Sequence, residues 1–514
     1  MDLKVTKETI SSLEIIFSDT NEQSVELDYI LPDYCPEIFK ILKCITIPSI
    51  ISHDIVDDKL SYEMEVCIRV LYCTENNPSV QSIEQKLTYF KKIELGRKCT
   101  NPDISVTPQV NYINCRAVNQ RRLDIRGAVL TTIIVKDLIS NDIITDVSGG
   151  NIQLKKESVT YQSDYIKSQK TVNISDKFDL GMSKPPILNI IRSDAVITSI
   201  DNKIIANKLI IKGEICINML YTYLSETNNG IEAMQFTLPF SHVLDMEGID
   251  DRFKCSVNAD VVLCNIKPYS DGDGNSKSVE CDMKVIIFAS AYRTATADLV
   301  IDEYSTSYKT NSEKSSIKIE LPSQAVNSSC VIKNTLSSTD DEIDCVNDVW
   351  CTIKNYTVNN DNNIFVINGN VVYYVMGKNS EGNPIFYEKE DSFISQFNTE
   401  GISENSILEV KLIPMSCSYN LASDSNVEIK AELKMLGCIR NTKIINGITD
   451  IEINEDELLD KNQNYALKIY YTDENEDLWE IAKKYGTSVT AIIEENEIED
   501  DMITGNGMIL IPIV

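Results

Sequence analysis

The chain has 514 residues, more than one hydrophobic core usually serves, since single cores stop growing near roughly 250 to 300 residues. Its 43% apolar fraction with only 19 Gly and 14 Pro marks folded globular material rather than a disordered or fibrous chain, so three or four domains are expected. A formal charge of -30 with no basic run disfavours nucleic acid and anionic membrane surfaces and makes a basic protein the natural complement.

The 15 Cys are scattered singly with no C-x-x-C pair, and Cys67, Cys216 and Cys281 lie inside strand-like runs. They read as reduced thiols acting as small apolar residues in a reducing compartment, not as a disulfide framework or a zinc site. The opening MDLKVTKETISS has no apolar signal region, and no stretch approaches the roughly 18 apolar residues of a membrane helix. A soluble, cytoplasmic protein without direct membrane insertion is expected.

In chain order, the first strong signal is Lys59 to Tyr72, KLSYEMEVCIRVLY, which returns 149 positions later at Lys208 to Tyr221 as KLIIKGEICINMLY. Apolar residues alternate along both copies, the two-residue period of a strand with one buried face. A third, divergent copy is read at Asn363 to Met376, NIFVINGNVVYYVM, and Gly213 and Gly369 suggest a bulge or close strand approach. Each repeat is taken to open on a polar leader with a Glu, at Glu8, Glu157 and Glu303. A Leu-to-Pro corner follows, at Leu31, Leu180 and more loosely Leu321, where Pro ends a strand. Pro32 and Pro36 are structural in this reading. Glu37 to Leu42 fits a helical turn or a buried strand.

Further strand pairs start at Val110, Val257 and Val410, joined by turn-rich segments, so about eight short antiparallel strands per repeat are expected, in a sandwich or barrel-like unit. Asp271, Asp273 and Asn275 look superficially like a calcium loop but read better as a polar hairpin tip. Arg121, Arg122 and Arg126 are expected to pair with carboxylates. From 443 to 463 the strand pattern fades. The division is therefore 1–140, 141–300 and 301–456 for three repeats, 457–463 for a linker, and 464–514 for a different module. The fold class is mainly β, three tandem antiparallel units followed by a small β-α-α-β domain.

In that last module Leu478, Ile481, Ala482 and Tyr485 recur at helical spacing between an Asp477 N-cap and a Gly486 C-cap. A second helix begins after Thr487 or Ser488. Leu478-Trp479-x-Ile481-Ala482-x-x-Tyr485-Gly486 with the closing Ile511-Pro512 resembles a LysM domain. That resemblance implies a groove for N-acetylglucosamine polymers between 473–477 and 496–507. The usual Gly-Asp-Thr is Asn475-Glu476-Asp477 here, Asn-Pro is Asn496-Glu497, and Gly-Gln is Asn506-Gly507. Eleven acidic residues against two lysines between Asp473 and Asp501 disfavour an anionic glycan. The partner- or glycan-binding candidates are Asn475, Glu476, Asp477, Trp479, Ile481, Asn496 and Ile498, with Leu478, Ala482 and Tyr485 as core.

The repeats, through Leu31-Pro32-Asp33-Tyr34-Cys35-Pro36-Glu37-Ile38, Asn114-Cys115-Arg116-Ala117 and Arg122-Leu123-Asp124-Ile125-Arg126-Gly127, resemble the SPOCS domain of spore-forming Clostridia. SPOCS repeats with one C-terminal LysM are similar to the clostridial spore-coat morphogenetic family. That family implies a mother-cell protein at the forespore surface or spore coat, partnered by the coat ATPase, stage IV sporulation protein A, and by other coat proteins. The alternative is a peptidoglycan- or cortex-binding protein. With two His and no G-x-S-x-G, P-loop, H-E-x-x-H or dinucleotide fingerprint, no enzyme, metal or cofactor is expected.

Overall fold

The computed structural model describes residues 3–75, 79–224, 229–269, 276–337, 343–423, 426–459, 466–473, 476–498 and 507–513. Asp271, Asp273, Asn275 and Asn475 lie outside the described residues. The fold is mainly β, with antiparallel pairing throughout and two short helices near the C-terminus.

The first unit comprises β1 (Lys4–Ile30), β2 (Lys40–Val56), β3 (Lys59–Cys73), β4 (Val80–Glu94), β5 (Asp103–Asn119) and β6 (Arg122–Ser148). They form two three-stranded sheets, β1-β6-β5 and β2-β3-β4. The second unit repeats this with β7 (Ile152–Asp179), β8 (Asn189–Ile205), β9 (Lys208–Leu224), β10 (Asn229–Asp245), β11 (Lys254–Tyr269) and β12 (Ser278–Ser305). In the third, β13 (Tyr308–Glu320) and β14 (Gln324–Ser337) both pair with β19 (Asn426–Leu458), beside β18 (Ser406–Ser423). Its second sheet is β15 (Ile343–Asp361), β16 (Ile364–Asn379) and β17 (Pro384–Phe397). The expected eight short strands are thus six or seven, mostly long ones.

Alternation dictates the packing. Leu60, Tyr62, Met64, Val66, Ile68 and Val70 all point inward from β3 and meet Leu123, Ile125 and Val129 of β6 across the sandwich. The segment from 37 to 42 is no helix: it leads into β2. Several sequence-based boundaries move. Residues 140 and 300 lie inside β6 and β12, which run on to Ser148 and Ser305, and β19 continues to Leu458 through the polar stretch where the pattern fades, burying Ile445, Ile448 and Ile451.

The third copy also shifts register. Leu71, Leu220 and Met376 meet in one cluster, and Gly213 corresponds to Gly369, so the second and third copies are 156 positions apart and the third begins at Ile364. The cause is the β11–β12 connection, 270–277, against only 120–121 in the first unit. By the same count Glu8 and Glu157 correspond to Glu313, whereas Glu303 sits near the end of β12, opposite Leu154. Leu31 and Leu180 correspond to buried Leu336, while Leu321-Pro322 interrupts the first long strand between β13 and β14. Pro lacks the ladder N–H, which is sufficient reason for that break.

The corners are held from within. Pro32 and Pro36 carbonyls accept from Arg121 Nη2 (2.7 Å) and Tyr72 Oη (3.0 Å). Arg122 binds Asp28, Arg126 binds Asp124 (3.2 Å), and Arg121 lies 3.7 Å from Asp33.

The three units close into a ring with approximate threefold symmetry. The β4, β10 and β17 edges pack on β8, β15 and β2 of the next unit in turn. Around the axis, equivalent positions carry Lys43, Arg192 and Asp348, each opposite one of the cluster residues Leu71, Leu220 and Met376. Arg192 binds Asp348 (2.7 Å) and Asp194 (2.6 Å) and lies over the Trp350 ring, while Lys43 reaches Glu388. Next to this network a chamber of about 1130 Å³ is lined by all three units. Farther along, the long strands share two more cores, Ile10, Ile143, Leu299 and Ile445 in one and Ile144, Val300 and Ile448 in the other.

Candidate functional site

The C-terminal module is built of β20 (Leu467–Thr472), α1 (Leu478–Tyr485), α2 (Val489–Asn496) and β21 (Gly507–Pro512), with β20 and β21 antiparallel. Asp477 caps α1 by accepting from the Trp479 amide (2.9 Å), and Gly486 closes it in the left-handed region at φ 61°. Ser488 caps α2 through the Ala491 amide (3.1 Å). Leu478, Ala482, Ile492, Ile509 and Ile511 make the small core, joined by half-buried Tyr485 edge-on to Tyr470.

The residues with the chemistry for ligand contact are mostly occupied inside the chain. Trp479 and Ile481, expected to shape a partner site, are buried, 8% and 2% exposed. The Trp479 ring packs edge-on against Tyr304 of β12 at 4.9 Å, and its Nε1–H donates to Asp302 (2.8 Å). Lys483 (2.7 Å) and Lys314 (2.8 Å) donate to the same carboxylate, Lys155 Nζ binds Asp477 (2.6 Å), and Tyr304 Oη donates to the Thr487 carbonyl (2.7 Å). Burial pushes the Asp302 carboxyl up, yet its bonds from Lys314, Lys483 and Trp479 hold it well below the usual range. Asp477 is likewise lowered, its Lys155 and amide bonds outweighing burial.

The other candidates also have internal tasks. Glu476 accepts from Tyr470 Oη (2.5 Å) and the Asp473 amide (3.2 Å). Asn496 bridges α2 to β21, donating to the Ile492 and Leu510 carbonyls and accepting from the Leu510 amide (2.7 Å). Ile498 packs half-buried on the core. Of the loops expected to flank a groove, residues 473, 476–477, 496–498 and 507 are among those described.

One surface escaped the sequence reading. Leu467, Ile469 and Tyr471 alternate along β20 and are 43%, 55% and 75% exposed, and Met508, opposite Tyr471, is 57% exposed. In LKIYYT one parity is Leu467, Ile469 and Tyr471 and the other Lys468, Tyr470 and Thr472, so alternation alone turns the apolar parity inward, whereas it is half-buried Tyr470 that packs on Tyr485 of α1. An exposed apolar sheet face of this kind is a candidate interaction surface.

Among the described residues no helix is long and apolar enough to cross a membrane, and no group of three or more His, Cys, Asp and Glu gathers as metal ligands. Two family models match the chain: the one described as SipL, SPOCS domain over residues 186–268, within the second unit, and LysM domain over residues 473–512. No curated protein and no solved structure matches it.

Proposed function

We propose that this chain is a non-enzymatic scaffold and adaptor of the spore coat, working in the mother cell at the forespore surface. Its LysM domain binds the coat ATPase, stage IV sporulation protein A, and its β units serve assembly with other coat proteins. The SPOCS and LysM matches support a sporulation-related role in binding protein or glycan. The observation that carries the protein reading is the engagement of Asp477, Trp479 and Asn496 within the chain, beside an open apolar face at Ile469 and Tyr471. Eleven acidic residues against two lysines between Asp473 and Asp501 favour a basic protein over a carboxylate-bearing glycan.

The test is co-sedimentation of the full chain with purified peptidoglycan, in parallel with capture on the recombinant ATPase. Capture that falls at least tenfold in an I469S/Y471S variant of unchanged thermal midpoint is expected. Retention on peptidoglycan alone would overturn the proposal in favour of the glycan reading.

A further inference from the structure

Each sandwich is closed along one side, where the edge strands of its two sheets run beside each other, β2 with β5, β8 with β11 and β15 with β18. At two of these seams a pair of cysteines meets. Buried Cys44 of β2 and half-buried Cys115 of β5 lie side by side in the core of the first unit, and buried Cys351 of β15 and half-buried Cys417 of β18 in that of the third. Cys351 stands at the position equivalent to Thr46, so the second pair lies one rung from the first on the same seam. Thiols thus recur, paired, at one structural place in two units, and Cys44, Cys351 and Cys417 line the chamber between the units.

The members of each pair differ in a way that suits sequential chemistry. Hydrogen bonding within each pair lowers the Cys115 and Cys417 thiols and, with burial, pushes up Cys44 and Cys351. A half-buried, more accessible thiol beside a buried partner is the arrangement of an attacking and a resolving cysteine.

We propose that Cys44 with Cys115, and Cys351 with Cys417, are two oxidation sites that take a peroxide and close into disulfides across the seams of the first and third units. In each, the Cys115 or Cys417 thiolate attacks one peroxide oxygen. The O–O bond breaks, a sulfenic acid forms, and the departing hydroxide takes a proton to become water. The Cys44 or Cys351 sulfur then attacks the sulfenic sulfur, its proton leaving with the hydroxyl as a second water. Two thiols lose two electrons to one peroxide, and the two sheets of the unit become covalently joined.

Cys99 and Cys345 share tryptic peptides with Cys115 and Cys351, so the full chain is used in a C99S/C345S background and treated with two equivalents of hydrogen peroxide. The expected result is loss of four thiols and recovery of the Cys44–Cys115 and Cys351–Cys417 linked peptides by mass spectrometry. C115S or C417S should each halve that loss, and C44S should leave Cys115 as a sulfenic acid that dimedone traps. If serine at buried Cys44 prevents folding, C115S at the half-buried partner breaks the same pair. Thiol loss without these linked peptides, or loss undiminished in a C115S/C417S chain, would overturn the proposal.

Discussion

Asp302 is the residue on which the docking of the C-terminal module turns, because a single carboxylate receives Lys314, Lys483 and the Trp479 indole. Asp302→Ala should weaken that docking by about 3 kcal/mol, the scale of losing charge-assisted bonds, seen as faster hydrogen exchange across 478–485. Trp479→Phe keeps the ring against Tyr304 but removes one donor, so a loss of about 1 kcal/mol is expected in the same measurement. The pH response follows from the direction of the shift. A carboxyl lowered in the folded state gives stability that is fully present above its unfolded pKa, about 4, and is lost as pH falls through the folded value. Docking should therefore be unchanged from pH 7 down to about 5 and decline only in stronger acid. Release of the module between pH 6 and 5, followed by exchange of the α1 amides, would contradict this.

At the scale of elements, the central strands carry the repeat, and their glycines show why it tolerates little change. A Cβ on Gly213 would lie 2.6 Å from the Ser199 carbonyl oxygen and 2.6 Å from the Phe240 ring, and one on Gly369 would lie 2.6 Å from the Asn355 oxygen. In both units the neighbouring strand is bulged there, between Ile197 and Ser199 and between Ile353 and Asn355, which brings its backbone in close. Gly213→Ala or Gly369→Ala should cost roughly 1 to 3 kcal/mol, read as a lower denaturant midpoint at constant slope. The suggestion of a close strand approach at these glycines, drawn from sequence, therefore has a geometric basis, although the third copy begins at Ile364 rather than Asn363 and its leader and corner lie at Glu313 and Leu336 rather than Glu303 and Leu321. The long β11–β12 connection displaces the third copy along the sequence, and no alternation pattern constrains its length.

For the molecule as a whole, the ring makes the three units depend on one another. Cores such as Leu71 with Leu220 and Met376, or Ile144 with Val300 and Ile448, belong to no single unit, so the ring should unfold in one cooperative transition. Equivalent positions carrying Lys43, Arg192 and Asp348 make the axis asymmetric in charge. Arg192→Ala strands Asp348, whose side chain is 15% exposed, and leaves Asp194 only Arg69 at 3.7 Å, and should cost about 3 to 5 kcal/mol, with calorimetry the direct measure. Two separate heat-absorption peaks for the wild-type ring would contradict the shared-core picture.

The sequence by itself determined the local grammar: strands from period-two burial in Lys59 to Tyr72, the helix α1 from the spacing of Leu478, Ile481, Ala482 and Tyr485, and its caps at Asp477 and Gly486. Those features depend on neighbours a few residues apart. Only the tertiary structure decided where Trp479 points, since its partners Asp302 and Tyr304 lie some 175 positions earlier in the chain. It also decided that Cys44 meets Cys115, that Leu71 meets Leu220 and Met376, and that Ile469 and Tyr471 are left uncovered. An apolar or aromatic side chain carries the same signal whether it is destined for a core, an interdomain seam or open solvent. What separates these fates is which distant surface closes over it.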